Sequence, residues 1–235
     1  MVHLLKEETM KTGYEDYQEN NYGRAVRITD DSYRNDLVSW QIPAIKKHCG
    51  DFKNKSFIDI GAGDIVLGEF LSEIGIPKVF YAQDLSEPSL KSGIERIQKT
   101  GAKVDMFRTL VSDNFDFSDI EEFSLDYAFS NSLFSHLSIN SILLCLRNLA
   151  PKMKVGSKYF SSMIVIPGGD ETQPYDWSYL ETKGTNVISY PVKDPFHYSR
   201  ETVATLSQFN SGFKVVTIHD YGHPFQKLVE FEKYD

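Results

Sequence analysis

Cysteine is scarce: Cys49 and Cys145 are the only two in 235 residues. They lie far apart and form no C-x-x-C spacing, which excludes a zinc knuckle or a dithiol redox pair. Long apolar runs are missing as well. Nothing approaches the ~18 residues needed to span a bilayer. The acidic N-terminal stretch MVHLLKEETMKTGYEDYQEN lacks the apolar centre of a secretion signal. The expectation is a soluble, cytoplasmic protein with no membrane partner. Basic charge is also short, with 25 Lys and Arg against 33 Asp and Glu for a net charge of -8. Backbone recognition of nucleic acid rests on Lys and Arg, so nucleic acid is not an expected partner. The run Lys46, Lys47, His48, Lys53, Lys55 reads as a solvated face. There is no internal repeat and no low-complexity tract.

What is present is an alternation. Residues 1–55 read as a polar helical cap, with SYRNDLVSWQIPAIKKHC as its amphipathic piece and Pro43 expected to kink or end that helix. From residue 56 the texture changes. SFIDI, KVFYAQD, KVDMFRTL, SLDYAFSNS and SKYFSSMIVI read as strands. Helices follow several of them, capped at Ser86 and later at Ser199. Strand and helix in succession predict an open α/β sheet, mostly parallel, with helices on both faces. The stretch 167–195 is rich in Gly, Pro and aromatics and too long for a plain connection, so it reads as a lid or substrate loop. The chain closes on a strand, a turn at Gly222–Pro224 and a strand, hence an antiparallel pair.

The chemistry is concentrated in IDIGAGDIVLGEF. A buried strand ends near Asp59 and turns through Gly61, Ala62 and Gly63. Glycine there permits positive φ and close approach of a ligand. Asp84 ends the second strand, about 20–25 residues on, where a carboxylate accepts both hydroxyls of a ribose. It could instead only cap the helix beginning at Ser86. The dinucleotide pattern G-x-G-x-x-G fails, because Val66 stands at its third glycine. Asp64 would also repel a pyrophosphate at the helix N-terminus by more than ~1 kcal/mol even in water. A cofactor carrying positive charge and no phosphate avoids that conflict.

These residues resemble class I S-adenosylmethionine-dependent methyltransferases. IDIGAGD resembles their first motif and YAQDLSEPSL their second. LDYAFSNSLFSHLS resembles the fourth-strand motif of small-molecule members, and HYSRETVATLSQFNSGFKVVTIHDYGHPFQKLVEFEK their closing helix and hairpin. The resemblance implies a Rossmann-like seven-stranded sheet in the order 3-2-1-4-5-7-6, strand seven antiparallel. It implies a core over 56–235, S-adenosylmethionine as cofactor, S-adenosylhomocysteine as product, no metal, and a small-molecule acceptor methylated on O or N, such as a sugar, metabolite or natural-product intermediate. It places Asp59 at the methionine amino group, Gly61, Ala62 and Gly63 along methionine and ribose, Asp84 on the ribose and Leu85 on the adenine. Asp113 and Asn114 fall where the adenine amino group is held, Asn131 faces cofactor and acceptor, and Tyr22 and Arg27 would meet the cofactor carboxylate.

One departure stands out. The family's third glycine is replaced by Ile65, and Ile at positive φ is costly. A degenerate, non-catalytic binding protein is therefore the alternative. His136, following the fourth strand, is the first candidate base and His197, at the end of the long loop, the second. Tyr175, Trp177 and Tyr179 would wall an acceptor pocket, or else form a pad that fixes the loop.

Overall fold

A computed structural model describes residues 31–49, 53–74, 77–101, 104–180, 187–209 and 211–235. Seven strands form the main sheet: β1 (Ser56–Ile60), β2 (Val79–Asp84), β3 (Phe107–Val111), β4 (Leu125–Ser130), β5 (Met153–Ile164), β8 (Phe213–His219) and β9 (Gln226–Lys233). Their order is β3-β2-β1-β4-β5-β9-β8. β1 to β5 are parallel, and β9 runs antiparallel to both β5 and β8. With the two short lid strands β6 (Tyr175–Asp176) and β7 (Ile188–Ser189) set aside, this is the expected order 3-2-1-4-5-7-6. The Rossmann-like sheet is therefore as the sequence implied.

Among the described residues five α-helices accompany it: α1 (Asp31–Cys49), α2 (Val66–Ile74), α3 (Glu87–Lys99), α4 (Ile139–Leu149) and α5 (Arg200–Thr205). Serine oxygens cap three of them, at Ser86, Ser138 and Ser199, each accepting from a backbone N–H three residues on. The strand alternation sends Phe57, Phe80 and Leu228 into one core with α1, α2 and α3. It sends Ile58, Phe134, Tyr159 and Phe231 into the other, with α4 and α5. Tyr159 and Phe231 stack at 5.6 Å with Phe134 edge-on to Tyr159. Truncating any of these buried rings to Ala costs about 3–5 kcal/mol.

Of the kink or end expected at Pro43, the end does not occur: α1 continues through it. Pro43 lies on its exposed side, while Gln41, Ala44, Ile45 and Cys49 face the core, so the missing N–H costs no packing. The long loop, in turn, is not structureless. β6 pairs with β7, and Ile164, Ile166 and Trp177 bury a small core of their own with Tyr175, Leu180, Val187 and Phe225.

Candidate active site

All the sequence motifs converge on the carboxyl ends of β1, β2, β4 and β5, the edge of an open α/β sheet where ligands bind. Gly61 and Ala62 donate their N–H groups to the Gln83 carbonyl at 2.8 and 2.9 Å, which seats the turn across β2. Gly61 and Gly63 take φ +73 and +53. Space beside Gly63 is open within 4 Å, and Leu133 closes over Gly61. Asp84 knits the turn to α3: one carboxylate oxygen accepts from the Gly63 N–H and the other from the Ser86 N–H, both at 2.8 Å. Each oxygen keeps a second lone pair for a ligand hydroxyl. Capping and ribose binding are thus compatible roles for one carboxylate.

Asp59 is buried at 6% exposure, and no hydrogen-bond partner meets its carboxylate among the described residues. Burial, and then the neighbouring Asp84, push its acid well above the usual carboxylate range. Asp84 is also raised by burial, against the opposing Ser86, Gly63 and Leu85 N–H groups, and Asp64 adds to the rise. Buried Asp59 and half-buried Asp84 thus face each other as like acids at the turn.

Asp64 itself is compensated. Its carboxylate meets Arg96 of α3 at 2.6 Å. The repulsion argument drawn from Asp64 therefore loses force. Ile65 adopts φ +62 and is fully buried. The chain keeps the left-handed turn without the glycine, at a conformational cost on the order of 1–3 kcal/mol.

Asp113 and Asn114 are exposed in the loop after β3. The neighbouring Ser112 donates to the Asp84 carbonyl at 3.1 Å, which brings that loop beside the acid pair. Leu85 is half-buried next to Asp84. Asn131 ends β4, and with Ser132, Ser162 and Gln226 it forms a polar network. Ser162 accepts from the Ser132 N–H at 2.6 Å, and the Gln226 amide donates to the Ser132 hydroxyl at 3.0 Å. Tyr22 and Arg27 lie outside the described residues.

His136 sits in the turn after β4 with Nδ1 2.6 Å from an Asp194 carboxylate oxygen. A carboxylate there assigns the proton to Nδ1 and the lone pair to Nε2. The partnership was invisible in the sequence, since 58 residues separate the two. The lid's return arm is stapled to the same turn, with Phe196 N–H donating to the Ser135 carbonyl at 2.6 Å and the Tyr198 hydroxyl to the Leu137 carbonyl.

His197 must be corrected. It is fully buried, with Nδ1 2.9 Å from the Ser189 hydroxyl and Nε2 3.1 Å from the Glu171 carbonyl. Both nitrogens are engaged in holding the lid, so it is not a base. Trp177 is corrected too: it is 4% exposed, its indole N–H held by Ser189 at 2.8 Å. It belongs to the pad, while Tyr175 is half-buried and Tyr179 exposed.

One set of metal-ligating side chains converges among the described residues. His48, His219 and Glu230 bring their ligand atoms within 4.8 Å of one another. Lys158 donates to Glu230 at 2.5 Å and His219 meets its other oxygen at 2.7 Å. An ammonium already stands where a dication would be drawn, and the cluster ties α1 to β8 and β9.

No family model and no curated protein matches the sequence. Solved structures do match in shape. A SAM dependent methyltransferase from Aquifex aeolicus aligns at TM-score 0.64 and 18% identity, covering 89% of this chain and 96% of the other. Magnesium protoporphyrin IX methyltransferase from Synechocystis PCC 6803, with bound SAH, aligns at 0.63 and 13%, covering 93% and 97%. The fold is that of the S-adenosylmethionine-dependent methyltransferases. A third example of this methyltransferase fold is the 1,6-didemethyltoxoflavin-N1-methyltransferase of Burkholderia thailandensis, solved with 1,6-didemethyltoxoflavin and S-adenosylhomocysteine. It aligns at 0.62 and 16%, covering 95% and 87%. No helix among the described residues is long and apolar enough to cross a membrane.

Proposed function

We propose that this chain is an S-adenosylmethionine-dependent methyltransferase acting on an O or N atom of a small molecule. The observation that carries the reading is the buried Asp59, whose carboxylate meets no hydrogen-bond partner among the described residues, beside Asp84 at the glycine turn. An unpaired buried carboxylate costs several kcal/mol, and an ammonium on the ligand removes that cost. When bound, the cofactor supplies a methyl carbon activated by a sulfonium leaving group. Asp59 would hold the amino group and Asp84 the ribose hydroxyls. Gly63 leaves room for close approach, and the loop of Asp113 and Asn114 lies on the adenine side with Leu85.

The chain's own part would be to hold the acceptor's heteroatom in line with that methyl carbon and to take its proton. The acceptor's proton passes to His136 Nε2, while Asp194 orients the ring through Nδ1 and faces the charge it acquires. Asn131 and the serine network would meet polar groups of the acceptor, and Tyr175 and Tyr179 would border it from the lid. The names of two structural neighbours carry small-molecule acceptors, a magnesium porphyrin and a toxoflavin precursor, which supports a small acceptor here. The test is transfer of label from methyl-labelled S-adenosylmethionine to a panel of small alcohols and amines. Label in an acceptor, lost in His136→Asn, is the expected result. Cofactor binding without transfer to any acceptor would favour the non-catalytic alternative.

A further inference from the structure

Ile65 is the residue a cofactor turn should not contain. It holds a left-handed conformation that β-branched side chains avoid. Its φ is the rotation between the Asp64–Ile65 peptide and the rest of Ile65, and hydrogen bonds bracket that rotation on both sides. The Asp64 carbonyl accepts from Arg96 Nη2 at 2.7 Å. The Ile65 N–H donates to the Ala62 carbonyl at 2.9 Å, and the Ile65 carbonyl accepts from the Glu69 N–H at 3.0 Å. Arg96 also grips the Asp64 carboxylate through Nη1 at 2.6 Å and Glu69 through Nε at 3.0 Å. One guanidinium therefore spans the turn and the first turn of α2.

The helix that brings Arg96 is cut to fit. Gly93 lies three residues earlier, on the same face of α3. A Cβ there would stand 2.3 Å from the Asp64 carbonyl oxygen and 2.9 Å from Ile65 Cγ1. A Cβ on Gly68 would stand 2.8 Å from Ile65 Cγ2. Two glycines thus make the socket for the Ile65 side chain, and Arg96 holds the peptide that precedes it.

We propose that Arg96 is a positioning residue for the cofactor turn, fixing the Asp64–Ile65 peptide so that Ile65 serves where the fold otherwise uses glycine. Its effect on cofactor affinity rests on the reading of this turn as the cofactor's seat; its effect on the turn's conformation does not. Arg96 acts through the turn itself, by its contacts to Asp64 and Glu69.

The experiment is a double-mutant cycle on the full chain with Ile65→Gly, Arg96→Met and their combination, plus Arg96→Lys in case Met folds poorly. Two readouts are taken: S-adenosylhomocysteine affinity by calorimetry and amide hydrogen exchange over residues 61–69. Arg96→Met should weaken binding at least tenfold and speed exchange in the turn. In the Ile65→Gly background the same substitution should cost threefold or less in both readouts, because glycine needs no clamp. Arg96→Lys, which cannot bond the carboxylate, the carbonyl and Glu69 together, should fall between. An Arg96 effect of equal size in both backgrounds, or none in the wild-type background, would overturn the proposal. Absence of binding by the wild-type chain would overturn the cofactor reading instead, and the exchange cycle would still decide the clamp.

Discussion

The two halves of the candidate site are built by different means. On the β1–β3 side, short turns, backbone N–H groups and two buried acids make a seat whose parts lie mostly within thirty residues of chain. On the β4–β5 side, the β4 turn, the lid and the β8–β9 hairpin meet across long separations, through His136–Asp194, Ser132–Gln226 and the pad around Trp177. The first half is local and specified by small residues. The second is assembled by tertiary packing.

If that division is correct, substitutions should separate cleanly. The largest effect belongs to His136→Asn, with turnover down about 10²–10⁴-fold and S-adenosylhomocysteine affinity within about threefold, measured by steady-state kinetics beside calorimetry. A matching loss of affinity would merge the two halves. Next comes Asp84→Ala, which removes charge-assisted hydrogen bonds each worth roughly 1.5–3 kcal/mol, so affinity should fall about a hundredfold or more. Trp177→Ala should open the lid, with local exchange of residues 164–180 accelerated by a loss of about 3–5 kcal/mol and cofactor affinity little changed. The smallest effect is that of pH on the α1 contact. Burial, and then His219, hold His48 below its ordinary value. A histidine with a depressed folded pKa takes its proton first in the unfolded state, so stability is lost as pH falls below about 6.5. Thermal melts at pH 7.5 and 5.5 should show that loss, and His48→Gln should reduce it.

Legibility followed the same division. β1, β2, the glycine turn and Asp84 were readable because apolar strand runs, glycines and terminal acids act locally. The serine caps at Ser86 and Ser199 were readable for the same reason. The sheet order came from family resemblance, since no periodicity encodes which strands become neighbours. Ile65 was correctly marked as a problem, but its solution lay in Arg96 and Gly93, on another helix. His197 and Trp177 look like site residues by composition; only their burial, both held through Ser189, shows that they hold the lid. Pro43 does not end α1, because it lies on the side that faces water.

The central claim is that a buried acid pair at the glycine turn is built for a cationic cofactor. Asp59 bears on it most directly, because burial and the neighbouring Asp84 raise its pKa and make its charged form a burden on the fold. The measurement is calorimetric titration of S-adenosylhomocysteine into wild type and Asp59→Asn, with a thermal melt of each. The account expects micromolar binding by wild type, at least tenfold weaker binding by Asp59→Asn, and a higher melting temperature for the variant without ligand. Equal affinity in the two proteins, or no binding by either, would contradict it.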